Sequence, residues 1–205
     1  MRRLREPFRI IRANLRAYLA MNAIVFGLFF IGVAAAFAFP DLHAAQTGSL
    51  EEDGTADLVV ELLGNVWLFA LTILAVNVLT VALPIILLPS MVVPFAGIVL
   101  FSYKAFIFGV TLAPVDATMA KLLIPHSLTI LIEFQAYILV MLAAYVLGRA
   151  WLRPATVGTD SRRQAYVRGL KQVGWLSLPA LALFVIGAAY EAFELVYLVP
   201  PLVAG

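Results

Sequence analysis

Five apolar runs, each about 20 residues or longer, take up most of this chain: 17–39, 65–83, 91–113, 127–147 and 174–199. That length matches the hydrocarbon core of a bilayer. Inside lipid, every backbone N–H and C=O must find a partner within its own segment, so each run is expected to be a helix. Composition agrees. Of the 205 residues, 63% are hydrophobic and 13% charged, against about 45–50% and about 25% in a soluble domain. The expected fold is all-α: a polytopic transmembrane helix bundle of about five spans. A basic segment, 1–16, precedes a single helical domain, 17–205, with an acidic loop at 40–64 and a basic loop at 148–173.

The first run is too long for the apolar core of a signal peptide, which is about 7–15 residues, and is read as a retained anchor. Pro84, Pro89 and Pro94 recur between the second and third runs. Proline removes a donor and clashes with the preceding turn, so 84–94 is expected to form a kinked hairpin at one membrane face. A re-entrant segment is the alternative.

Charge sets the orientation. Of the 14 Lys and Arg residues, six (Arg2, Arg3, Arg5, Arg9, Arg12, Arg16) precede the first run. Arg149, Arg153, Arg162, Arg163, Arg168 and Lys171 lie between the fourth and fifth. The segment after the first run carries Asp41, Glu51, Glu52, Asp53 and Asp57 with no cation. Five crossings with the N-terminus in the cytoplasm place both basic clusters inside and the C-terminus outside. The basic start, with Leu4, Phe8, Ile11 and Leu15 among its arginines, also suits an interfacial helix touching anionic lipid.

Ionisable groups within spans cost at least about 2.5–3.5 kcal/mol at a helix centre, and they usually face the bundle interior. This chain has Asn77 in the second span, Lys104 in the third, His126 and Glu133 in the fourth, and Glu191 and Glu194 in the fifth. At a rise of 1.5 Å per residue, Glu133 lies about 10 Å below His126. Lys104 lies about 20 Å, and Glu191 about 25 Å, above the inner face. His126 and Glu133 share a helix face with Thr129 between them, and Glu191 and Glu194 share another. The candidate polar intramembrane centre is His126, Glu133, Glu191, Lys104 and Asn77. Glu194, Tyr103 and Gln135 are secondary members, and Glu194 is expected near the outer headgroups. Tyr137 and Tyr190 lie close by in sequence. Two readings stand. In one, Lys104 pairs with a carboxyl group and the cluster only fixes helix packing. In the other, the cluster handles protons, a solute or a partner's helix.

No cysteine is present and only two histidines are, which excludes thiolate chemistry and argues against a histidine-built metal site. No nucleophile elbow, HExxH pair or phosphate loop occurs, so no catalytic residue, metal or cofactor is expected. Nor is nucleic-acid binding, since no domain accompanies the basic stretch to read bases.

The motifs then take on a familiar order. Pro125-His126-Ser127 is followed by Glu133, Ala136 and Gly148; "LFSYKAFIFG" closes at Gly109; "IGAAYEAFE" places Glu191; and Asn77 stands in the second span. This order, over about residues 65–195, resembles the stage II sporulation protein M family. Ser127 stands where that family has Gly, Glu133 lies three residues later than its pattern, and Lys104 replaces an Asn. The resemblance implies a non-enzymatic, multi-pass component of a bacterial plasma membrane. Its implied partners, besides the bilayer, are membrane or cell-envelope proteins such as a peptidoglycan hydrolase or the components of an ATP-driven exporter, with self-association open. The alternative class is a proton-coupled permease or exporter subunit built on the His/Glu/Lys centre.

Overall fold

The computed structural model describes residues 5–52 and 62–204. Arg2, Arg3, Asp53 and Asp57, and the side chains of Glu51 and Glu52, lie outside what it describes. The described residues are predominantly helical, with no strand among them. In chain order the helices are α1 (Glu6–Ala13), α2 (Leu15–Ala38), α3 (Pro40–Glu52), α4 (Val66–Val92), α5 (Ala96–Thr111), α6 (Ala117–Leu152) and α7 (Arg162–Val203). Four of them, α2, α4, α6 and α7, are long and apolar enough to cross a membrane, and α5 is a shorter apolar helix. The all-α helical bundle expected from the apolar runs is what the chain forms, with four helices of membrane-spanning length among the described residues.

The bundle is built around α6. In its most apolar stretch 72% of residues are buried, against 17% for α4 and 28% for α2, so α6 is the hub and the others leave most of their apolar surface exposed on their outer sides. Its principal neighbour is α7, and α2 packs against both α5 and α6. The α2–α5 crossing is close. A Cβ on Gly32 would lie 2.1 Å from the Phe106 carbonyl oxygen, and one on Gly109 would lie 2.0 Å from that of Phe29. Small residues let two backbones approach in lipid, where packing rather than water exclusion holds helices together. Phe26, Phe29 and Phe108 surround Phe134 beside this crossing.

Four boundaries differ from the sequence expectation. The stretch expected as a loop over 40–64 carries α3 over Pro40–Glu52. The hairpin expected over 84–94 contracts to Val93–Phe95, because α4 continues through Pro84 and Pro89. The stretch Val76–Leu87 adopts π-helical bonding, and a mid-helix π segment is one recognised way of absorbing a residue that cannot join the ordinary ladder. Phe95, at φ 70°, turns the corner. Its ring packs where Gly148 of α6 leaves room, since a Cβ there would stand 2.8 Å from the ring. Ser90 Oγ accepts the Gly97 N–H at 2.9 Å and satisfies the start of α5.

The fourth span begins at Ala117 rather than near Ser127. Asp116 caps it by accepting the Met119 N–H at 2.8 Å, so Pro125 lies inside the helix and not at its first turn. The basic loop expected over 148–173 shrinks to Arg153–Ser161, because α6 runs on to Leu152 and α7 starts at Arg162. Arg149 therefore sits on α6, while Arg162, Arg163, Arg168 and Lys171 lie on the first turns of α7.

The two ends of the bundle differ in charge. Arg149 donates to Asn14 Oδ1 at 2.9 Å, at the bend between α1 and α2, and α1 packs on α7. This joins the basic N-terminal segment to the basic α6–α7 connection at one end. At the other end α3 packs against α5, and His43 Nδ1 lies 2.8 Å from the Val110 carbonyl oxygen near the end of that helix.

Candidate functional site

Three helices bring polar side chains together in the end of the bundle away from the basic segments. Asn77 comes from the π-helical stretch of α4. His126, Thr129, Glu133 and Tyr137 come from α6, spaced by three or four residues so that they form one stripe. Glu191 and Glu194 come from α7, where bonding turns from α to π at Glu194–Leu198. π segments of this kind are frequent at functional sites.

Two linked groups result. In the first, His126 Nδ1 lies 2.5 Å from Glu194 Oε1. The Thr129 hydroxyl donates to Oε2 of the same carboxyl group at 3.0 Å. Glu194 is completely buried and His126 retains 12% of its side-chain exposure. This corrects the expectation that Glu194 reaches the headgroups: the carboxyl group turns inward and is the partner of His126. In the second group, the Asn77 amide donates to Glu133 Oε1 and its carbonyl oxygen accepts from the Tyr137 hydroxyl at 2.9 Å. Tyr137 is fully buried, between the rings of Phe101 and Phe184. The Glu191 side chain lines the same cavity as that of Glu133.

Lys104 is not part of this centre. Its ammonium lies over the Phe108 ring, 5.1 Å from the centroid, and no ion pair joins it to a carboxyl group among the described residues. Lys104 and the acids lie on different helices, and the aromatic face one turn away on α5 supplies a local partner. Gln135 and Tyr103 are also outside. Gln135 accepts from the Tyr18 hydroxyl at 2.5 Å and donates to Asn22 at 2.7 Å, tying α6 to α2 on another face. Tyr103 is 68% exposed on the outer side of α5.

The centre lines a cavity of about 360 Å³ between α4, α5, α6 and α7, within the range of about 300–1,000 Å³ typical of small-molecule sites. Asn77, His126, Glu133 and Glu191 supply its polar surface, and the walls include Phe69, Ile73, Phe108 and Phe134. Gly187, which the sequence reading passed over, makes room for the acid: a Cβ there would stand 3.0 Å from Glu133 Cγ. Its position four residues before Glu191 was the only signal available. Tyr190 fastens α7 to the interrupted helix, its hydroxyl donating to the Pro125 carbonyl oxygen at 3.3 Å. Among the described residues no cluster of His, Asp and Glu is arranged to hold a metal ion.

No family model, no curated protein and no solved structure matches the chain.

Proposed function

We propose that this chain is a multi-pass protein of a bacterial plasma membrane. It crosses five times, with the basic end in the cytoplasm and the C-terminus outside, and serves as a non-enzymatic subunit of a cell-envelope or export assembly. The cavity is where it engages what that assembly holds or moves. The joining of the N-terminal segment to the α6–α7 connection supports the orientation, because it gathers the arginines at one end. The resemblance to stage II sporulation protein M, carried by the order of motifs over 65–195, supports the non-enzymatic role.

One observation carries the reading. The acidity of the centre is not cancelled by the lysine that the sequence reading paired with it: Lys104 rests on Phe108 while Glu133 and Glu191 face the cavity. A cluster that served helix packing alone would close on itself, with each acid matched internally. Here two acids line open space. The test is crosslinking in native membranes from a photoreactive residue at Leu112, on the cavity wall. A discrete protein adduct, lost when Glu133 becomes Leu, is expected. A chain that yields only lipid adducts in its own membrane overturns the proposal.

A second reading, a proton-coupled permease, is favoured by the proton-exchanging groups gathered at the cavity: His126 on Glu194, with Glu133 and Glu191 lining the same space. Vesicles reconstituted with the pure chain separate the two. pH-driven solute flux lost in Glu133→Gln selects the permease, and a tight, flux-free vesicle selects the subunit.

A further inference from the structure

Glu191 is the least satisfied group in the centre. Glu194 has an imidazole and a hydroxyl, and Glu133 has the Asn77 amide. Glu191 lines the cavity, receives no N–H or hydroxyl hydrogen bond among the described residues, and shares that cavity with the Glu133 carboxyl group. We propose that the cavity binds a lipophilic organic cation, with its charge seated between Glu133 and Glu191 and its apolar body against Phe69, Phe108 and Phe134. This rests on the reading that the cavity is the working site and names the chemistry it accepts.

Three features select this ligand class. Charge comes first: two acids facing a cavity in an apolar surround repel anions and give a neutral guest no use for them. Second is the coordination available. A hard inorganic cation needs about six or more oxygens to replace its water, and the described residues offer no such set. An alkylammonium or arylphosphonium ion spreads its charge over carbon, holds water weakly and needs only a counter-charge and an aromatic face. Third, the aromatic wall already serves a cation. The Lys104 ammonium lies over the ring of Phe108, which also lines the cavity.

The proton balance follows from two acids sharing one apolar cavity, where ionising both is disfavoured. Without the cation, one of Glu133 and Glu191 keeps its proton. One monocation entering displaces that proton to water, and the net charge of the site is unchanged. The other groups facing this exchange are Asn77 from α4, Lys104 with Phe108 from α5, His126 and Tyr137 from α6, and Tyr190 and Glu194 from α7.

The test is calorimetric titration of the full chain in lipid nanodiscs with tetraphenylphosphonium, against tetraphenylborate, which has the same shape and opposite charge. Empty discs supply the baseline. Saturable binding of the phosphonium and none of the borate is expected. Repeating the titration in buffers of different ionisation enthalpy should show about one proton released per cation. Glu191→Gln, which keeps the side chain's shape, should weaken binding about tenfold or more, equivalent to about 1.4 kcal/mol, at unchanged melting temperature. Lys104→Met should bind at least as well as wild type. Equal binding of both probes, or an undiminished Glu191→Gln, overturns the proposal. Absent phosphonium binding alongside a persistent Leu112 adduct removes the cation and leaves the subunit reading in place.

Discussion

His126 Nδ1 and Glu194 Oε1 stand 2.5 Å apart across the α6–α7 contact, although 68 residues separate them in the chain. With the Thr129 hydroxyl on the second oxygen, this carboxyl group is the acceptor for two donors on α6. Glu194→Ala leaves an imidazole and a hydroxyl without an acceptor, each costing about 1–3 kcal/mol. The melting temperature in detergent should fall clearly for Glu194→Ala and less for Glu194→Gln, which keeps one oxygen. Identical melting of the alanine variant and wild type would contradict the pairing.

Asn77 bridges α4 to α6 by donating to Glu133 and accepting from Tyr137. Removing one partner of a buried hydrogen bond costs more than removing both. Asn77→Leu should therefore destabilise the protein by about 1–3 kcal/mol, and adding Tyr137→Phe should recover part of that loss. A double variant less stable than the single one would count against the bridge. Equilibrium unfolding in mixed micelles measures both.

Lys104 provides a sharp contrast between two energetic pictures. A lysine paired with a buried carboxyl group, when truncated, costs about 3–5 kcal/mol. A cation over an aromatic ring is worth about 0.5–2 kcal/mol. The Phe108 contact puts Lys104→Met in the second range. A loss of stability in the first range would mean that the ammonium reaches an acid.

At Gly109 a Cβ would stand 2.0 Å from the Phe29 carbonyl oxygen, whereas at Gly27 nothing lies within 4 Å. Gly109→Val should cost about 1–3 kcal/mol by overpacking, while Gly27→Ala should stay within about 0.5 kcal/mol of wild type. Size-exclusion profiles and melting curves of the two variants test the α2–α5 crossing. Equal behaviour would place the two helices farther apart.

Much of the architecture was legible in the chain. Runs of about 20 apolar residues impose helices because lipid offers the backbone no hydrogen-bond partner. The five runs reappear as α2, α4, α5, α6 and α7, and the residues of the polar centre on α4, α6 and α7 were all named from the sequence. Helix ends were less visible. Proline was read as a break at Pro84 and Pro89, yet both lie within α4, where bonding over Val76–Leu87 relaxes to π geometry.

Sequence alone determined which segments are helical and that several ionisable side chains share helix faces, since both follow from local periodicity and the solvent. Tertiary structure alone decided the pairings. Depth along a helix cannot say which way a neighbouring helix is rotated, and a π turn changes that rotation. So His126 meets Glu194 rather than Glu133, Lys104 turns to Phe108, and Glu191 is left facing a cavity whose walls come from four separate helices.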